Sequence, residues 1–89
     1  MYYGRCWLCG RWGWLEEHHI FGGVNRKKSE KYGLKVGLCG DTCHRNGKDA
    51  AHQSAATALR LHQYGQKMFM EEHGASVDEF RAMFGKNYL

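Results

Sequence analysis

The apolar positions of this chain change their spacing near Cys43. Before it they come in short pieces broken by glycine and charge. Trp12 to Leu15 and Leu34 to Leu38 have the length and composition of strands, and together they suit a hairpin. After it the spacing is helical. From about Asp49 to His73 alanine, leucine, glutamine, methionine and glutamate dominate, with Ala51, Ala55, Ala58, Leu59, His62 and Phe69 at helical intervals and Gly74 placed to end the segment. Gly65 interrupts the run and allows a kink or a break. Ser76-Val77-Asp78-Glu79 then reads as a capping box that opens a short amphipathic helix, with Phe80, Met83 and Phe84 on one face and Gly85 as its stop. The pattern predicts an α+β domain, strands first and helices after, in which the helical aromatics and methionines are core.

With 89 residues, no internal repeat and no linker, the chain is one small domain. A domain of this size buries too little apolar surface to be comfortably stable from its core alone, so something else has to staple it. Its 43% hydrophobic residues and absence of proline exclude a disordered chain. The opening MYYGRCWLCG has neither the charged leader nor the apolar run of a signal peptide, and no later segment is long and apolar enough to span a bilayer. Both features predict a cytoplasmic protein with no membrane partner. In a reducing compartment Cys6, Cys9, Cys39 and Cys43 suit a metal better than disulfides.

The spacing of those cysteines names the staple. A tetrahedral zinc ion takes two closely spaced ligands from each of two turns, and Cys6-x-x-Cys9 with Cys39-x-x-x-Cys43 supplies them. The second gap is one residue wider than the commonest spacing, which leaves the fourth ligand open between Cys43 and His44. A thioredoxin-like use of Cys6-Trp7-Leu8-Cys9 is disfavoured, because no βαβ context surrounds it.

Inside the loop that this zinc would close lies EEHHIFGG, residues 16 to 23. Neighbours on a strand point to opposite faces, so His18 and His19 have different tasks unless the strand ends or bends there: one can face a metal while the other faces a substrate. Gly22 and Gly23 allow a turn and leave room for a phosphate backbone to approach. His44, at the entrance to the helical half, is placed to meet His18, and His52 is a third candidate. His62 and His73 read as surface or satisfied core residues. The formal net charge is +4, and Arg26, Lys27, Lys28 and Lys31 crowd together just after the glycines. That cluster fits a polyanionic partner and equally a solvated loop, and charge alone does not separate the two.

Taken in order, Cys6-x-x-Cys9, EHHIFGG from Glu17 to Gly23, NRKKSEKYGLKVGLC from Asn25 to Cys39, and CHRNGKDAAH from Cys43 to His52 resemble the HNH endonucleases. The likeness is to the small zinc-stapled form common in bacteriophage genomes, and it covers roughly the first three fifths of the chain. It implies a ββα-metal core over residues 1–52 with a helical extension over 53–89. It further implies His18 and His44 as ligands of a catalytic metal, His19 as general base, and DNA as substrate in the cytoplasm of a bacterial or phage-infected cell. The family's middle asparagine, which orients the base, is matched by Asn25 or Asn46, since Leu34 and Lys35 stand where it usually falls.

The chemistry is coherent on its own terms. A neutral imidazole near its ordinary pKa can activate water at pH 7, and one divalent metal can place positive charge on the scissile phosphate and the departing oxygen. Histidine ligands favour Zn, Ni, Co or Mn over Mg, although a histidine-poor shell completed by water and phosphate oxygens accepts Mg. The rival expectation is a zinc-ribbon-like module that grips nucleic acid or a protein without cleaving. It accounts for the cysteines and the basic cluster but leaves His18 and His19 as coincidence.

Overall fold

The computed structural model describes residues 2–89, apart from the side chain of Asp41. Three strands make one antiparallel sheet in chain order, β1 (Tyr2–Arg5), β2 (Trp12–His19) and β3 (Lys35–Cys39). Between β2 and β3 lie a 3-10 turn, Gly23–Asn25, and a short helix, α1 (Arg26–Lys31). One π-helical turn, Gly40–Arg45, follows β3 and leads to α2 (Ala55–His73) and α3 (Val77–Phe84). The chain is thus an α+β domain in which α1 interrupts the strands and the two longer helices follow them.

β2 is twice as long as its apolar piece. It continues through Glu16, Glu17, His18 and His19 because β3 pairs with it there, Glu16 against Leu38, His18 against Val36 and His19 against Lys35. Ladder hydrogen bonds keep these four polar residues extended where no hydrophobic pattern marks a strand. β1, which the pattern does not mark either, pairs with the opposite edge of β2 and sets Tyr3 against Trp14 and Arg5 against Trp12. The basic run from Arg26 to Lys31, to which the apolar pattern assigned no element, forms α1. Its Ser29 points inward, where the hydroxyl accepts from the Phe21 amide at 2.9 Å and donates to the Phe21 carbonyl at 2.8 Å.

Ile20 and Phe21, directly after the histidine pair, decide where β2 stops. Both are fully buried, and Phe21 packs on Phe84 and Phe80 of α3 at ring-centroid distances of 4.9 and 5.7 Å. They belong to one apolar cluster that runs from Cys6 to Phe84, so the helical half and the sheet share a core.

Two expectations for the helices change. α2 begins at Ala55 rather than near Asp49, capped by Ser54, whose hydroxyl accepts from the Thr57 amide at 3.2 Å. The preceding residues are held elsewhere: the amides of Ala51 and His52 donate to the carbonyls of Cys43 and His44 at 2.8 and 3.1 Å. Gly65 does not break α2, which runs unbroken from Ala55 to His73. It lets the helix lie against the β2 exit, because a Cβ there would stand 2.7 Å from Ile20 Cγ2 and 3.0 Å from Phe21 Cε2. The Ser76–Glu79 capping box forms as expected, and Gly74 and Gly85 close their helices at positive φ.

Gly65→Ala weighs two opposed effects. Alanine gains about 1 kcal/mol of helix propensity, whereas overpacking a filled core costs about 1–3 kcal/mol. Because both clashing side chains are buried, overpacking should win. The variant should unfold at lower urea than wild type, and an unchanged or higher midpoint would show that Ile20 and Phe21 yield freely.

Candidate functional site

The sulfurs of Cys6, Cys9, Cys39 and Cys43 lie within 4.8 Å of one another. They arrive from the β1–β2 turn, the end of β3 and the π-helical turn. Cys9 Sγ and Cys39 Sγ are 3.6 Å apart. That is far outside a disulfide bond of ~2.05 Å and near the ~3.8 Å edge of a tetrahedron built from Zn–S bonds of ~2.3 Å. The set fits a structural zinc ion. The π-helical turn that begins directly after Cys39 brings Cys43 back to it despite the extra residue between them. Cys43 is therefore the fourth member of the sulfur group, and His44 is left for another use.

Backbone amides prepare two of these thiols. The Arg11 amide draws Cys9 down to about 6. Burial pushes Cys6 up, but the amides of Cys9, Cys39 and Leu8 outweigh it and the net direction is down. Burial raises Cys39 and Cys43, so zinc binding must displace their protons.

His44 follows Cys43 directly, so the sulfur cluster places its backbone. Its Nδ1 meets Glu16 Oε1 at 2.8 Å, and Arg45 holds the other oxygen of that carboxylate at 2.9 Å. A carboxylate on Nδ1 selects the tautomer whose Nε2 lone pair is free to bind a metal. The Glu16 carboxyl is in turn held below its ordinary range, first by His44 and then by Arg45. His52 is brought in by the two backbone hydrogen bonds to Cys43 and His44, and its Nε2 stands 3.1 Å from His44 Nε2. His18 closes the group from β2, with ring centroids 5.1 Å from His44 and 5.2 Å from His52. One nitrogen from each ring lies within 4.8 Å of the others. The 3.1 Å separation is close to the ~3.3 Å edge expected for Zn–N bonds of ~2.0–2.1 Å, so the three imidazoles fit one divalent ion. Burial, followed by the neighbouring His44 and His52, holds His18 down at about 4, and a neutral ring is the form that binds a metal.

His19 leaves the other face of β2, as strand alternation requires. Its Nε2 is 2.8 Å from Glu30 Oε2 on α1. Glu30 is held below the ordinary carboxylate range, first by His19 and then by Lys35. Glu17, His19 and Glu30 are also close enough together to hold a metal. Lys35 Nζ, however, already lies 3.3 Å from Glu17 and 3.2 Å from Glu30, so the cation in that cluster is the chain's own. Because β2 ends at His19, both faces reach one cleft of about 370 Å³, lined by Glu17, His18, His19, Gly22, Gly23, Arg26, His44 and His52.

Other residues singled out in the sequence are distributed differently. Asn25 does not pair with His19; its Nδ2 donates to the Phe84 carbonyl at 2.9 Å and ties the start of α1 to the end of α3. The basic cluster divides as a helix divides its faces. Arg26 lines the cleft, and Lys27 shares a neighbouring hollow with Arg26 and Glu30. Lys28 donates to the Met83 carbonyl and lies over the Phe84 ring, while Lys31 lies over Tyr32. His62 stacks on Phe21, and His73 packs on Phe69.

Two partners escaped the sequence reading. Glu16 stands two residues before His18, and the period of a strand places both on one face, so that signal was available. Glu30 carried none, because its approach to His19 depends on how α1 docks. Comparison with known protein families, with curated proteins and with solved structures returns no match.

Two outcomes test these centres. Cys39→Ser should lose zinc and unfold the domain, since a structural zinc site contributes on the order of 10 kcal/mol, comparable with the whole stability of a small domain. Native mass spectrometry of the wild type should find one tightly held zinc ion. The second outcome concerns His18, whose ordinary value is 6.5. The unfolded chain takes up its proton near pH 6.5 and the folded chain only near 4, so the folded state loses stability as pH falls through that window. Wild type should therefore lose stability relative to His18→Gln between pH 6.5 and 4. A His18 titration midpoint near 6.5 by NMR, in protein carrying only its structural zinc, would contradict the burial assigned to this ring.

Proposed function

We propose that this protein is a metal-dependent endonuclease that hydrolyses DNA phosphodiester bonds. In this reading β2, β3 and the helical turn carrying His44 are the ββα-metal frame of an HNH nuclease. The observation that carries it is the division of four imidazoles at one cleft. Three converge their nitrogens, and the fourth stands apart, held by a carboxylate.

His18, His44 and His52 would hold the catalytic ion, and three imidazoles favour Zn or Ni over Mg. When bound, the ion supplies positive charge at the scissile phosphate and the departing oxygen. His19 accepts the proton of the attacking water. With Nε2–H donated to Glu30, its Nδ1 is the basic nitrogen, and the carboxylate stabilises the imidazolium that forms there. Gly22 and Gly23 leave the floor of the cleft free of side chains where a phosphate must approach, and Arg26 adds a guanidinium at its edge. Arg26 and Lys27 are the basic residues of α1 best placed to meet the strand, since Lys28 is engaged with α3.

Supercoiled plasmid incubated with the protein and Mg, Mn, Ni or Zn in turn, beside an EDTA control, should be nicked only where the metal is present. His19→Ala should keep its fold and both metals yet cut about a hundred-fold or more slowly, the usual scale for a positioned general base. His18→Ala should weaken metal binding, so that part of its activity returns at high metal concentration. Cleavage by His19→Ala at the wild-type rate sinks this mechanism, and a gel shift with no nicking in any metal leaves a binding module.

A further inference from the structure

We infer that the exposed face of the β1–β2 ribbon, formed by Tyr3, Trp12 and Trp14, stacks the unpaired bases of a single DNA strand leading into the histidine cleft. The direction of that strand rests on the nuclease proposed above. The platform itself rests on separate observations.

Trp12, Trp14 and Tyr3 are 67%, 66% and 60% exposed. A domain with so little core has left its largest apolar side chains in water, and side by side. Tyr3 is stacked with Trp12 at 6.5 Å between centroids and meets Trp14 edge-on at 5.4 Å. Such contacts stabilise a two-stranded ribbon, but they do not require that the outer ring faces stay bare. Adjacent exposed aromatic groups of this kind mark an interaction surface.

The place and charge of the platform say what covers it. By strand alternation Trp12, Trp14, Glu16 and His18 share one face of β2. Trp14 therefore lies about 13 Å along the strand from His18, at ~3.3 Å per residue. That is about four stacked nucleotides at ~3.4 Å each. Glu16 is the one carboxylate among these β2 positions, and His44 and Arg45 already engage it. Arg5, exposed and in register with Trp12, lies on the same face, and the Arg45 side chain is more than half exposed. Phosphates on this surface meet guanidinium groups while bases meet rings. In a duplex the base faces are hidden in the stack, so the rings select unpaired nucleotides.

The test uses the whole 89-residue chain carrying one zinc ion, in its sulfur cluster, with no divalent metal added, so that binding is read without cleavage. Fluorescence anisotropy compares an oligothymidine, a duplex of the same length and an abasic oligomer with the same phosphates. Wild type should prefer the oligothymidine to both others by ten-fold or more. Trp14→Ala should weaken oligothymidine binding by about five-fold to a hundred-fold, the range for losing one stacked base. Trp14→Phe should retain most of the affinity. Trp12→Ala, at the end of the strand, gives a second reading if Trp14→Ala fails to fold, and the abasic comparison needs no variant at all. Equal binding of the abasic oligomer, or unchanged binding by both alanine variants, overturns the platform. Plasmid nicking is scored separately. A protein that stacks bases but never nicks keeps the platform and loses the nuclease, and nicking without base preference does the reverse.

Discussion

A single peptide bond joins the two clusters on which this domain depends. Cys43 completes the sulfur group and His44, the next residue, enters the imidazole group. Whatever holds the four sulfurs together also fixes the backbone from which His44 reaches Glu16, and the same stretch offers the carbonyls of Cys43 and His44 to Ala51 and His52. Two of the three converging imidazoles are thus positioned through the cysteine cluster. A small core leaves little packing energy to do this in another way, and a zinc ion in the sulfur cluster would supply it.

The third imidazole comes from the sheet, and the apolar core decides where it stands. Ile20 and Phe21 are anchored against Gly65 of α2 and the aromatic rings of α3, which sets the end of β2 immediately after His19. A strand ending there keeps His18 and His19 on opposite faces and still brings both to one cleft. The two carboxylates then make neighbouring residues differ in chemistry. Glu16 orients a ring of the converging set, and Glu30 takes the nitrogen of His19. Two histidines adjacent in the chain thereby acquire separate tasks with no difference in residue type.

The C-terminal helices contribute to the site without entering it. Asn25 and Lys28 both donate to carbonyls at the end of α3, Phe84 and Met83. These bonds hold α1 in place from the side opposite the cleft, and α1 carries the Glu30 that meets His19. A basic residue close to the glycine pair in sequence is therefore spent on helix capping, where the exposed carbonyls of a helix C-terminus favour a cation.

What the sequence determined by itself is what local rules govern. The pairing of cysteines by spacing, the two strands of the hairpin and the two helices after them, the capping box at Ser76 and the opposite faces of His18 and His19 depend on residues a few positions apart. Even Glu16 belongs to that class, since it shares a strand period with His18. Tertiary structure decided the rest because the partners are far apart in the chain. Glu30 reaches His19 across 11 positions, Asn25 reaches Phe84 across 59, and Gly65 meets Ile20 only because α2 crosses the end of β2. Trp12 and Trp14 make the contrast plainest. Their hydrophobicity marks the strand, but their exposure follows from which face of the ribbon the helices leave uncovered, and no local pattern carries that choice.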